Sequence, residues 1–171
     1  DIQYLREMAG ERSSQGMLQK LDLSEVNIIS GSGTYGDGEH AFESVIGVRM
    51  FSYCNALVSI ILPDNTTSIE QGAFFNAKNL KTIDIPNKVS YIGEGAFYEC
   101  VSLQSITIPD NVTTILRWTF RDCISLETIV IPASLVSFSM EVSLNNSYSL
   151  KQFIVAEDNP VFSTINGVLY N

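Results

Sequence analysis

Basic residues are scarce: ten Lys and Arg face nineteen Asp and Glu, for a net charge of -9 and a pI near 4.4. The resulting field repels phosphate backbones and anionic lipid surfaces, so nucleic acid is excluded as the natural partner. Long apolar runs are missing as well. The longest uncharged stretches, such as Met50 to Pro63, carry Ser, Asn and Pro and fall short of the roughly 20 apolar residues of a membrane helix, so no span is expected. The opening "DIQYLREMAGE" has neither the basic start nor the apolar stretch of a secretory leader, which leaves open whether the protein stays inside the cell or loses a leader first. The single histidine, His40, lies in a Gly-rich stretch with no Cys, Ser or Asp constellation around it, and reads as a solvated loop residue rather than a base. At 45% hydrophobic and 17% charged residues, the rest is ordinary globular material, enough for one domain with its own core.

What the chain does have is a period. Pro63, Pro86, Pro109 and Pro132 are spaced by 23 residues, and so are Leu57, Leu80, Leu103 and Leu126, and Ile60, Ile83, Ile106 and Ile129. Phe51, Phe74, Phe97 and Phe120 form a further column, and Ile46, Ile69, Ile92, Ile115 and Phe138 another. A fixed period of this size with one strand-like run per copy is the mark of a leucine-rich-repeat solenoid, in which no copy can bury its apolar face alone. The stack is therefore the folding unit.

One copy shows the logic. In "SITIP" the alternation sends Ile106 and Ile108 inward and leaves Ser105 and Thr107 outward, the pattern of a strand with one solvated face. Pro109 ends the strand, because proline has no N–H for a ladder, and "PDN" makes the turn. In "IGEGAFYECVSL" the residues Ile92, Ala96, Phe97, Cys100 and Leu103 approach helical spacing. The expected architecture is an α/β solenoid, a right-handed stack with a parallel β-sheet on its concave face and short helical segments on its outer side.

The boundaries follow from the same skeleton. A helical cap is expected over 1–17 from "IQYLREM", then about six rungs over 18–155, then a hairpin segment over 156–171. The first rung is "LQKLDLSEVNI", with Leu18, Leu21, Leu23, Val26 and Ile28 inward. From Leu18 to Leu57 is 39 residues, and the excess falls in "SGSGTYGDGEH", so the Gly-rich insertion near 30–40 is expected to protrude as a loop. The last rung, "SYSLKQFIV", is one residue out of phase and lacks the proline. In "NPVFSTINGVLYN", Asn166-Gly167 between two apolar runs is a strong two-residue hairpin signal. An ending directly after a strand suits a longer parent.

The run "SIEQGAFFNAKNLKTIDIPNKVSYIGEGAFYECVSLQSITIP" resembles the BspA-like leucine-rich repeats, whose copies read Ile-Gly-x-x-Ala-Phe-x-x-Cys-x-x-Leu-x-x-Ile-x-Ile-Pro. The likeness extends over most of the chain from about Ile46, and departs at Ala77, where Cys is usual, and at Trp118-Thr119, where Gly-Ala is usual. Membership implies a secreted or cell-surface bacterial protein with a role in adhesion to host proteins or other cells.

Chemically suggestive residues have plain rivals. Cys54, Cys100 and Cys123 share one repeat position, and although Cys100 and Cys123 stand close enough for a disulfide to be considered, Ala77 in the same slot points to small core groups and thiols. Asp22 and Asp84 are outward on strands separated by another strand, about 10 Å apart, too far for a paired-carboxylate hydrolase. Asn65, Asn111 and Asn145 open Asn-x-Ser/Thr triplets. No nucleophile, base and orienting group converge, so an enzyme is the least supported reading; no cofactor or metal is implied.

A binding module and an inert spacer remain. A protein or glycan ligand, possibly host extracellular, would meet the outward strand positions Ser59, Thr82, Ser105, Thr128 and Gln152 in one column and Ile61, Asp84, Thr107, Val130 and Ile154 in the next. The apolar members of the second column suit a partner, and equally suit plain β-propensity. Tyr35 in the Gly-rich loop is a candidate edge contact, and Trp118, two residues before the inward Phe120, is expected to point away from the core as an alternative outer contact.

Overall fold

The computed structural model describes residues 18–25, 34–35, 39–40 and 44–170. The expected helical cap over 1–17 lies outside the described residues, as do Val26 and Ile28.

Two parallel ladders run the length of the stack. The main ladder is built from β1 (Lys20–Asp22), β5 (Ser59–Ile61), β7 (Thr82–Asp84), β9 (Ser105–Thr107), β11 (Thr128–Ile131) and β13 (Gln152–Val155). The second consists of two-residue strands: β4 (Val45–Ile46), β6 (Ser68–Ile69), β8 (Tyr91–Ile92), β10 (Thr114–Ile115) and β12 (Ser137–Phe138). In the main ladder Ile60, Ile106 and Ile129 alternate inward and are buried. The proline corners close as expected: Thr66 N, Val89 N and Val112 N donate to the carbonyls of Pro63, Pro86 and Pro109 at 2.9 to 3.0 Å. Between β7 and β9, and at the same rung step between β8 and β10, the ladders are interrupted. Gln104 N still reaches Lys81 O at 3.3 Å, and Ile83 and Pro86 are only half-buried, unlike their counterparts in neighbouring rungs.

The outer side is not helical, contrary to the expectation of short helical segments there. Its backbone N–H groups are spent alternately. Met50, Ser52 and Cys54 donate to the carbonyl three residues back, whereas Arg49, Phe51 and Tyr53 donate to Gln71, Ala73 and Phe75 in the next rung, and the two following rungs repeat the pattern. A helix needs every N–H for its own carbonyls, so a segment that gives away half of them becomes a run of turns. The conformation requires left-handed residues at two columns: Arg49, Gly72, Gly95 and Trp118 have φ of 51 to 60°, and Tyr53, Asn76, Glu99, Asp122 and Asn146 have φ of 58 to 65°. The one short helix on this side among the described residues, α1 (Met140–Ser143), sits where the last rung carries its extra residue: Trp118 N reaches Val142 O, two residues further on than the regular step.

The core is columnar. Phe51, Phe74, Phe97 and Phe120 are fully buried and stack with ring centroids 5.4 to 5.8 Å apart and planes within 12° of parallel. The cysteine slot has a specific task. Cys100 Sγ donates to Phe74 O and Cys123 Sγ to Phe97 O, each at 3.1 Å, and in the next rung Ser147 Oγ donates to Phe120 O at 2.7 Å. The slot thus suits a small group that can donate back to the phenylalanine carbonyl of the preceding rung, and no disulfide forms. The hairpin is present, with β14 (Ser163–Ile165) and β15 (Val168–Tyr170) joined by Asn166 and Gly167 at φ of 52 and 79°, the double left-handed signature of a type I′ turn. It docks on β13 through Phe153 N to Gly167 O at 2.9 Å.

Two predictions come from this core. Phe97→Ala should lower the unfolding free energy in urea by about 3 to 5 kcal/mol, since both neighbouring rings are held in register and cannot fill the gap; a loss below about 1 kcal/mol would remove the phenylalanine column from the core. Burial pushes the Cys100 thiol up from 9.0 to about 12, and the Cys123 thiol well above 9.0. A raised acid is protonated in the folded chain while the unfolded chain ionises, so the stability that Cys100 contributes is fully present below about pH 9 and is lost as pH rises toward 12, at about 1.4 kcal/mol per pH unit, and Cys123 acts in the same direction. Cys100→Ala should flatten that alkaline decline in urea titrations, and a thiol reagent should modify no cysteine in the native chain and all three after denaturation without reductant.

Candidate functional site

The strand face carries the predicted columns in register. Lys20, Ser59 and Thr82 are paired across β1, β5 and β7, and Ser105, Thr128 and Gln152 across β9, β11 and β13. Asp22, Ile61 and Asp84 form the second column on one side of the interruption, and Thr107, Val130 and Ile154 on the other. The last pairing absorbs the out-of-phase rung without a slip, which would have sent every side chain of β13 to the wrong face. Ile61 is 39% and Ile154 48% exposed, while Val130 is half-buried between Thr107 and Ile154. The face is joined by side chains as well: Gln152 Nε2 donates to Thr128 Oγ1 at 3.3 Å. Its acids do not converge, since Asp22 and Asp84 are each paired opposite Ile61 and so lie two ladder steps apart. Asp22 accepts from Ser24 N at 2.9 Å, and that bond lowers its pKa, so it stays ionised.

The Gly-rich insertion contains a short antiparallel pair, β2 (Thr34–Tyr35) and β3 (Glu39–His40), with Tyr35 opposite Glu39. The edge contact expected of Tyr35 and the solvated setting expected of His40 concern side chains outside the described part of the structure. Among the described residues no group of His, Cys, Asp or Glu is placed to hold a metal ion, and no helix is long and apolar enough to cross a membrane.

The outer side holds a second surface that was not read from the sequence beyond Trp118. The left-handed column places Gly72 and Gly95 at two adjacent rungs, with Arg49 before them and Trp118 after them. Glycine adopts such a φ freely, whereas a side chain there costs roughly 1 to 2 kcal/mol, so Arg49 and Trp118 are held in place against a backbone preference. The glycines open a trough. Along one flank stand Phe75 and Tyr98, half-buried, with ring centroids 5.2 Å apart; Tyr53 meets Phe75 edge-on at the near end, and the Arg121 guanidinium lies 5.5 Å over Tyr98 at the far end. Gln71 and Glu94 also line the trough. Trp118 closes the end, half-buried rather than free of the structure, with the Arg117 guanidinium 4.7 Å over its ring and Arg117 Nε 2.7 Å from Glu94 Oε2. Burial raises the Tyr98 phenol above its ordinary value against the opposing pull of Arg121, so the ring flanking the trough is uncharged. A signal for this surface exists in the sequence: with the rungs aligned, Gly72 and Gly95 fall between Arg49 and Trp118 in one column, and Phe75 and Tyr98 fall in another.

Comparison with known proteins adds the relatives of this architecture. A leucine-rich cell surface protein from Faecalibacterium prausnitzii A2-165 matches with 28% identity and a TM-score of 0.69 over 85% of this chain. A T. pallidum leucine-rich repeat protein matches with 27% identity and a TM-score of 0.58 over 71% of this chain and 55% of its own, and a Bacteroides ovatus repeat protein with 31% identity and 0.53 over 61% and 27%. The chain spans about a third of the length of the Faecalibacterium structure, 34%. No curated protein matches the chain. The model of the BspA-type leucine-rich repeat region matches residues 44–165 in six copies. The match runs from β4 through β13 and so takes in every rung after the first, and the chain belongs to the BspA-type leucine-rich repeat family.

Proposed function

We propose that this chain is a non-enzymatic binding module of a bacterial surface protein, and that it engages a protein partner through the outward columns of the main ladder. The observation carrying this reading is the strip Thr107, Val130 and Ile154, where apolar groups that the core does not need stand in register beside the hydroxyls of Ser105 and Thr128. An apolar centre with a polar rim is the anatomy of a protein interface. The rigid ladder lowers the ordering cost of association, because the contact groups are already held at strand spacing. The description of the Faecalibacterium relative as a cell surface protein supports a surface location. The absence of converging acids on the ladder supports recognition over catalysis.

The test is a binding screen of the purified chain against extracellular host proteins, followed by Thr107→Arg and Val130→Glu, with Lys88→Glu on a corner turn as control. Each strip variant should weaken binding by about tenfold or more, roughly 1.4 kcal/mol, with circular dichroism unchanged and the control at parent affinity. Parent-level binding by both folded strip variants would move the site off the ladder. A screen without any protein partner would favour a spacer.

A further inference from the structure

We propose that the outer-side trough between Arg49 and Trp118 is a second binding site, separate from the strand face, and that it takes a neutral oligosaccharide. The trough arises where Gly72 and Gly95 occupy the left-handed column, and crowding does not demand glycine there. A Cβ at Gly95 would meet nothing nearer than Tyr98 Cβ at 3.7 Å, and one at Gly72 would meet Arg49 Cγ at 3.4 Å and Phe75 Cβ at 3.6 Å. A Cβ at either residue would thus sit in ordinary van der Waals contact with these side chains, so the floor of the trough has room for a small group without a clash. At the next rung the same column holds Trp118 at φ 60°, a conformation that bulky residues rarely adopt, so the groove is closed by an aromatic ring held against local preference.

The lining has the chemistry that sugars need. The C–H faces of a hexose pack on aromatic rings, and Phe75, Tyr98 and Trp118 supply rings along the trough. Hexose hydroxyls pair with planar groups that donate or accept at two points, and the Gln71 amide and Glu94 carboxylate supply these in the lining. Glu94 is held in place by its ion pair with Arg117, and Arg117 also covers the Trp118 ring. The site is thus ordered before a ligand arrives. From Arg49 to Trp118 is three rung steps, about 14 Å at strand spacing, a length that suits a segment of a few hexose units.

Two observations narrow the class. The glycine N–H groups of the trough are not available to a peptide, because Gly72 N and Gly95 N are already spent on the carbonyls of Glu94 and Arg117 in the next rung. Recognition falls to side chains, which favours a hydroxyl-bearing ligand over a peptide. Within the lining the charges of Arg49 and Glu94 balance, which suits a neutral ligand, and the chain's net charge of -9 disfavours anionic sugars at longer range.

Trp118 is the only tryptophan, so its fluorescence reports on this site alone. The purified chain is titrated with neutral four-unit oligosaccharides: β-1,4-glucose, β-1,4-mannose, α-1,4-glucose and β-1,4-N-acetylglucosamine. At least one should shift or quench Trp118 emission saturably with a dissociation constant of about 1 mM or lower. The N-acetylated and plain members separate amino-sugar glycans from simple glucans and mannans as the source. Gly95→Asn fills the trough with a residue that tolerates the left-handed region and keeps the reporter, and should weaken binding by about tenfold or more. Trp118→Gly restores the residue found at Gly72 and Gly95, which guards against misfolding, and should lose binding to a similar extent by calorimetry. Thr107→Arg on the strand face should leave sugar binding unchanged. The proposal is overturned by silence of Trp118 toward all four sugars up to about 10 mM, by retained binding in both folded trough variants, or by loss in Thr107→Arg alone.

Discussion

The structure depends on the hydrogen bonds that each rung makes to the next. On the outer side every second N–H crosses to the following rung, and on the strand side the ladder does the same at spacings of 39 residues at the first step, across the insertion, then 23, and 24 at the last. One crossing bond contributes little in net terms, roughly 1 kcal/mol, but a rung cannot satisfy its own backbone and must stack. Stacking then dictates the side chains. Residues one period apart sit on top of each other, so the phenylalanines stack ring on ring and the cysteine slot faces the carbonyl of the phenylalanine before it. The columns follow from the backbone rather than being added to it.

The same arrangement gives the two surfaces opposite physical characters. On the strand side, neighbouring side chains stand at fixed separations on an extended backbone, and the result is a flat strip of small groups. On the outer side the alternating bonds require left-handed residues, and the choice of residue at those positions shapes the relief. Glycine leaves a trough; Arg49 and Trp118 end it. After Tyr53 the other left-handed column holds acid and amide residues, which pair along the stack: Asn76 with Glu99, and Asn146 with Asp122 at 2.6 Å. Asparagine and aspartate tolerate this region, whereas Tyr53 and Glu99 occupy it because the crossing bonds hold the backbone there.

Much of this was legible in the sequence, and the misses have physical causes. The strand registers could be read because alternation and the leucine, isoleucine and proline columns specify one residue per position, and even the lengthened last rung pairs as the leucines indicate. The Asn166-Gly167 turn was legible for a similar reason, since both of its residues need positive φ. The outer side was misread because Ile92, Ala96, Phe97, Cys100 and Leu103 point inward at near-helical spacing whether the backbone is a helix or a run of turns. What separates the two is where the N–H groups go, and no side chain records that. The trough was missed because its residues come from four rungs and form no local motif. The interruption between β7 and β9 has no visible sign either, as Ile83 and Pro86 match their columns.

The central claim is that register across rungs, with one residue per column, holds the chain together. Excising residues 78–100 removes one 23-residue period and joins Ala77 to Val101, so every column is preserved. Excising 78–101 removes one residue more and leaves a rung one residue short, with no extra residue of the kind that α1 accommodates in the last rung, so each later column shifts by one and inward strand residues turn outward. The account predicts that the first variant unfolds in urea as a single cooperative transition with Trp118 emission like that of the parent, and that the second shows neither. If both variants fold alike, register is not what the structure depends on, and the account is wrong.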